Sequence, residues 1–314
     1  LDTPPKDERV REVINIEAAL EFIDETWSAD PDSFRIDHNL IRQLHALVTT
    51  SLSASGEGDR NPGQYRTVPV KIARSSHVPP DPLDVHRLMD ELLDFLRRPD
   101  PPKYDLLKIA IAHHRFAWIH PFSNGNGRTA RLFTYALLLN AGFRVGGDHP
   151  ASRILNPTAV FCADRDKYYN KLEEADNGSD ASLLGWCSYV LNGLKVELDK
   201  VDKLLDYDWL GKKILAPAIA ELHRTNGISN HEQAILMKTL TLPVIRNQDI
   251  QPVLGSIGPV QVSRILKSLK DKKLLVPAPG SEYKYQLGIT ASPLLRMVLR
   301  QLDSNGFLPL KNEV

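Results

Sequence analysis

Twelve consecutive residues hold the groups that group-transfer chemistry needs: His120-Pro121-Phe122-Ser123-Asn124-Gly125-Asn126-Gly127-Arg128-Thr129-Ala130-Arg131. They supply a titratable base, a glycine-flanked loop and a pair of arginines. Gly125-Asn126-Gly127 has the backbone freedom to point successive N–H groups into one concavity, an anion nest. The apolar run Leu132–Leu139 behind it reads as a helix. The nest therefore opens a helix N-terminus, where the dipole and unpaired N–H groups favour phosphate. Arg128 and Arg131 are three residues apart on the first turn, so both suit the same anion. His120 precedes the loop. A base beside a polyphosphate cradle points to transfer of a phosphate-bearing group to a hydroxyl.

The elements that position these residues are mostly helical. Val10–Trp27 carries Val13, Ile14, Ile16, Ala19, Leu20 and Ile23 as a helix stripe, and His38–Leu52 repeats the pattern behind Asp37, a fitting cap. Leu83–Leu96 follows a proline-rich break. Lys103–Ile119 then runs straight into His120, where Pro121 ends it. Further helices are expected over Ala163–Ala175 and Leu183–Leu205. Between the second and third helices, Tyr65–Ile72 alternates with the period of a short strand, which Pro69 confines to an edge.

After Asp206 the pattern changes. His231–Leu240, Asn247–Gly255 and Val260–Lys273 read as three short helices, followed by strands at Leu274–Val276 and Tyr283–Leu287. That is the order of a winged helix. The fold class is mainly α: a helical domain over 1–205 with a small β-hairpin flap at about 63–80, a linker helix over 206–229, a winged helix over 230–290 and a C-terminal tail helix over 291–314.

Composition narrows the function. With 39 basic and 39 acidic residues the net charge is zero, so any nucleic-acid face has to be local. Two cysteines, Cys162 and Cys187, make neither a disulfide framework nor a metal cluster and fit a reducing cytoplasm. No apolar run approaches the length of a membrane span, and Leu1-Asp2-Thr3-Pro4-Pro5-Lys6 does not read as a signal peptide. No membrane partner is expected.

The motif at 120–131 resembles the signature of the Fic family, H-x-F-x-[D/E]-G-N-G-R-x-x-R. Every fixed position matches except Asn124, which stands where the family has Asp or Glu. The resemblance extends over roughly residues 10–200. Pro62-Gly63-Gln64-Tyr65-Arg66, with Val68, Val70 and Pro79-Pro80, looks like the family's flap, which pairs with a target peptide by strand addition. Tyr168 and Tyr169 look like its nucleotide-pocket helix, with Asp176 where relatives often have Asn; core aromatics are the alternative for both tyrosines. His113 and His114 are expected to be structural, one buried and one exposed.

The resemblance implies transfer of AMP from ATP to a hydroxyl of a protein target. His120 would be the general base, with Gly125, Asn126, Gly127, Arg128 and Arg131 on the phosphates. Mg²⁺ would accompany the nucleotide, and Asn124 would be a weak ligand for it, since an amide oxygen is neutral. Many Fic proteins carry an inhibitory S/T-x-x-x-E-G/N helix whose Glu pairs with the second motif arginine, here Arg131. Ser53–Gly58 fits its letters through Glu57, but two glycines make a poor helix, and Glu57 reads as a chance match.

On Val260–Lys273, Arg264, Lys267 and Lys270 lie opposite Ile265, Leu266 and Leu269. A recognition helix on double-stranded DNA and a solvated basic face used for protein contacts both fit. A homodimer is a further candidate assembly. The other functional class is a nucleotide-sensing DNA-binding regulator with a catalytically weak Fic domain.

Overall fold

The computed structural model describes residues 7–308 except 74, 144–158, 243, 256 and 282. The chain divides into two compact units, Leu1–Leu198 and Asp199–Val314.

The first unit holds α1 (Glu8–Ala29), α2 (His38–Thr49), α3 (Val85–Arg97), α4 (Asp105–Ile119), α5 (Asn126–Asn140), α6 (Val160–Ala163), α7 (Arg165–Ala175) and most of α8 (Asp180–Leu205). Local chemistry sets the starts: Asp37 accepts the Leu40 N–H at 2.9 Å as the cap of α2, and single 3₁₀ turns at Pro82–Asp84 and Pro102–Tyr104 lead into α3 and α4. α4 and α5 form the centre of the unit. Ile109, Phe116, Phe133 and Leu137 from these two helices are buried with Leu92 and Trp186 in one core. A second cluster packs Ile23 of α1 and Leu44 of α2 against Leu132 and Ala136 of α5. The motif loop hangs between α4 and α5, both anchored in these cores, and so has rigid ends.

The strand expected over Tyr65–Ile72 does not form; the described residues of 65–80 carry no β-ladder. Pro69 lacks a donor and no second strand lies alongside among the described residues, so side chains hold the segment instead of main-chain pairing.

In the second unit, α9 (Tyr207–Leu210), a π-turn (Gly211–Leu215) and α10 (Ala216–Arg224) lead to α11 (Asn230–Thr239), β1 (Ile245–Arg246), α12 (Asn247–Leu254), α13 (Pro259–Asp271), β2 (Leu275–Pro277), β3 (Lys284–Leu287) and α14 (Leu294–Ser304). The sheet is antiparallel in the order β1-β3-β2, with Ile245 opposite Tyr285 and Leu275 opposite Leu287. Ser229 and Glu232 close a reciprocal capping box at the start of α11. Ile214, Leu215, Ile219 and Leu222, from the segment read as a linker, are buried in this unit's core with Leu269 and Tyr285.

Candidate active site

α4 ends on His120, whose backbone is left-handed (φ 51°, ψ 60°). Pro121 disfavours right-handed helical geometry in the residue before it, so the chain leaves the helix sharply here. His120 is half-buried, and burial pushes its imidazole down to about 4. It is therefore neutral near pH 7. Its Nδ1 lies 3.3 Å from the Ala117 carbonyl. A carbonyl only accepts, so Nδ1 carries the proton and Nε2 keeps its lone pair, the tautomer a general base needs.

The loop closes on itself. The Asn126 side chain accepts from Phe122 N–H at 2.9 Å and donates to Phe122 C=O at 2.8 Å, holding the turn from both sides. Gly125 sits at φ 69°, and a Cβ there would come within 2.9 Å of Thr49, so only glycine fits. α5 starts at Asn126 with no side-chain cap and no acidic residue in its first turn. The N–H groups of Asn126, Gly127 and Arg128 have no intrahelical acceptor, which makes the expected anion site.

The two arginines differ. Arg128 is 5% exposed. It donates to the carbonyls of Val48 and Glu57, lies 3.1 Å from the Glu57 carboxylate and 3.5 Å from that of Glu12. Its charge is spent inside the protein. Arg131 makes no hydrogen bond or ion pair among the described residues, and its guanidinium lies 3.6 Å from where a Cβ on Gly127 would stand. It flanks the open helix end. Glu57 thus meets Arg128, not Arg131, and 53–58 is a turn, not a helix.

Asn124 is committed to the scaffold as well. Its Nδ2 donates to Gly56 C=O at 2.7 Å and Gly58 C=O at 3.0 Å, and its Oδ1 accepts from Gly125 N–H at 2.7 Å. Asp59, whose side chain is almost fully buried, accepts from the main-chain N–H groups of Asn61 and Asn124. Both sets of oxygens are engaged by main-chain N–H groups. The residues present do not fit a protein-held Mg²⁺, because position 124 offers no carboxylate and its neutral amide oxygen already accepts from Gly125 N–H.

Two residues that sequence reasoning overlooked or misread hold the loop to the segments around it. His45 of α2, unremarked in the sequence, is fully buried and stacks flat on Phe122 (centroids 3.7 Å apart, planes at 2°). Burial pushes it down to about 4. Its Nδ1 accepts from Gly63 N–H at 2.9 Å, so Nε2–H donates to Asn124 C=O at 3.1 Å. One neutral imidazole bridges flap and motif. Its place, three residues beyond Arg42 on a helix facing the motif, leaves no sequence signal apart from being polar on an apolar face. Arg66, expected on the target-docking edge, is instead 3% exposed. It donates to the carbonyls of His120 at 2.8 Å, Pro80 at 2.7 Å and Ile119 at 3.3 Å, and its N–H reaches Pro121 C=O at 2.9 Å.

Of the other flap residues, Val68 is exposed, Val70 half-buried, and Tyr65 packs its ring 5.3 Å from that of Phe122. Beside them a cleft of about 440 Å³ opens between Gln64–Val68, Gly58–Asn61 and Ser123–Asn124. Tyr168 is buried, its hydroxyl 3.0 Å from His113 Nε2, in a cluster with Phe161 and Trp186. Tyr169 is exposed. Asp176 pairs with His114 at 3.0 Å and lies 3.7 Å from His77. His113 and His114 are both buried, which corrects the expectation that one would be exposed. In the second unit Arg264 and Lys267 are exposed on α13, while Lys270 folds back 2.8 Å from the Tyr285 hydroxyl and over its ring. No helix among the described residues is long and apolar enough to cross a membrane.

Residues 35–138 match the family model described as Fic/DOC family. The chain is 33% identical over 171 residues to a protein adenylyltransferase Fic of Nematostella vectensis, covering 53% of this chain and 34% of that protein. It is 30% identical over 172 residues to protein adenylyltransferase fic-1 of Caenorhabditis elegans, covering 53% and 29%. The match thus spans about a third of the length of these curated relatives. A Fic family protein from Desulfovibrio desulfuricans G20 has a similar fold: TM-score 0.50, 22% identity, 91% of this chain and 77% of that one.

Proposed function

Residues 35–138 are a Fic/DOC-family domain, and from that premise we propose that this chain transfers AMP from ATP to a Ser, Thr or Tyr hydroxyl of a protein target, itself included. The observation that carries the reading is the uncapped N-terminus of α5 with Arg131 beside it, one loop away from His120 with a free Nε2 lone pair. The names of the curated relatives support it.

In this proposal the hydroxyl oxygen attacks the α-phosphorus, and the bond from that phosphorus to its bridging oxygen breaks. Pyrophosphate leaves and His120 Nε2 takes the hydroxyl proton. The N–H groups of Asn126, Gly127 and Arg128 and the Arg131 guanidinium bind the phosphates and stabilise charge that develops on them. Arg128 contributes its main chain; its side chain, like Asn124, Asn126, His45 and Arg66, keeps the loop in shape. The exposed Val68 and half-buried Val70 remain the target-facing part of the flap. Tyr169 is the more accessible candidate near the nucleotide, since Tyr168 and Asp176 are engaged within the protein. With Asn124 spent on the scaffold, no protein ligand for Mg²⁺ enters the mechanism.

The test is incubation with ATP labelled at either the α- or the γ-phosphate. AMP transfer incorporates the α label only. Incorporation of γ label, or of neither, counts against the proposal.

The same reading takes 230–290 as a winged helix and the chain as cytoplasmic. The helix–strand–helix–helix–hairpin order and the exposed Arg264 and Lys267 support double-stranded DNA as a second partner. Fluorescence anisotropy with duplex DNA at low and high salt tests this: binding that falls steeply with salt and weakens in R264A/K267A is the expected result.

A further inference from the structure

Away from the motif, three ligand-bearing side chains converge on one spot. His38 is the first residue of α2, and His86 and Asp90 lie one turn apart on α3. His38 Nε2 is 2.8 Å from Asp90 Oδ1, and His86 Nδ1 is 3.0 Å from Asp90 Oδ2. The two imidazoles stack with centroids 4.9 Å apart. All three donor atoms lie within 4.8 Å of one another.

We infer that His38 Nε2, His86 Nδ1 and the Asp90 carboxylate form a three-ligand site for a divalent transition-metal ion, with Zn²⁺ the natural probe. Two imidazoles and one carboxylate suit a borderline cation, and three protein ligands leave an open position for water. Zn–N and Zn–O bonds of about 2.0–2.2 Å put tetrahedral neighbours roughly 3.4 Å apart. The two nitrogen–carboxylate separations need to widen by about half an ångström, while the two ring nitrogens, which lie within 4.8 Å of each other, settle at the tetrahedral spacing. His86 and Asp90, with side chains 71% and 54% exposed, are free to make that adjustment.

Tyr65 supplies what a metal-binding histidine usually has, a partner on its other nitrogen. Its hydroxyl is 2.8 Å from His38 Nδ1. Without metal, Nε2–H donates to Asp90, so Nδ1 accepts from the Tyr65 hydroxyl. With metal on Nε2, the proton moves to Nδ1, which then donates to the Tyr65 oxygen. The Tyr65 hydroxyl serves either tautomer, so the phenol stays in place while the metal comes and goes. Tyr65 is a flap residue whose ring packs on Phe122 of the motif. Metal at this site therefore fastens α2, α3 and the flap together.

A simple hydrogen-bonded surface triad has the same appearance but binds no metal. Zinc titration of the full chain against a chromogenic chelator, in the absence of nucleotide, separates the two. The expected result is one equivalent of tight zinc, lost in H86A and D90N and weakened roughly 10–100-fold in Y65F. Zinc should also raise the Tm of the parent but not of H86A, whose exposed substitution leaves the fold alone. Equal zinc affinity in the parent and H86A, or no uptake by the parent, overturns the assignment. Neither result depends on whether the chain transfers AMP.

Discussion

Arg128 and Arg131 stand three residues apart on the first turn of α5, yet their charges serve different ends. Arg128 is buried against Val48 C=O and Glu57, while Arg131 has no partner among the described residues and lies beside Gly127. The spacing that suggests a matched pair on one anion yields one structural arginine and one for ligand.

That division is measurable. Arg131→Ala should weaken ATP binding about 10- to 100-fold, the loss of one charge-assisted hydrogen bond, with little change in Tm. Arg128→Ala should leave two carbonyls unsatisfied and cost roughly 2–3 kcal/mol of stability. Calorimetry and thermal melts on both variants check this; equal effects on binding would put Arg128 in the phosphate site.

Asn124→Asp replaces a double donor by an acceptor facing Gly56 C=O and Gly58 C=O. Stability should fall by about 1–3 kcal/mol, a Tm drop of several degrees, roughly 2–4 °C per kcal/mol at this size. Mg²⁺ should not restore it. A variant that is as stable as the parent and gains Mg²⁺ dependence would show that position 124 is a metal position after all.

His45 and His120 are both held at about 4 by burial, and His113 at about 3. A histidine whose pKa is depressed in the fold stays neutral there but takes up a proton when unfolded. The stability this contributes is full above the unfolded value, near 6.5, and is lost as pH falls toward 4. Tm should therefore decline steadily between pH 6.5 and 4.5, beyond the change in a His45→Gln variant over the same range. A flat profile would mean these imidazoles are accessible to protons in the native state.

Arg66→Ala should release the flap. It removes a buried guanidinium that serves four carbonyls, at a cost of roughly 3 kcal/mol. Hydrogen exchange should speed up at 64–72 and 119–122 together; exchange confined to the flap would contradict the coupling.

Much of this was legible in the sequence because it is local. Helix periods, the Asp37 cap, the His120-Pro121 break and the glycines each act within a few residues. What was not legible comes from long-range pairing. The flap alternates like a strand, but a strand needs a neighbour, and the described residues supply none. Arg66 and Asn124 carry polar groups suited to ligands, yet buried main-chain carbonyls claim them first, since an unpaired buried carbonyl is costly. His45 is separated from Asn124 by 79 residues, and no motif spacing reaches so far.

The central claim is that His120 acts as a base and not as a binding group. The direct measurement is His120→Ala assayed twice, for α-label incorporation and for ATP affinity by calorimetry. Label incorporation should disappear while affinity stays within about two-fold of the parent, since the imidazole makes none of the proposed phosphate contacts. Label incorporation equal to the parent's would contradict the account.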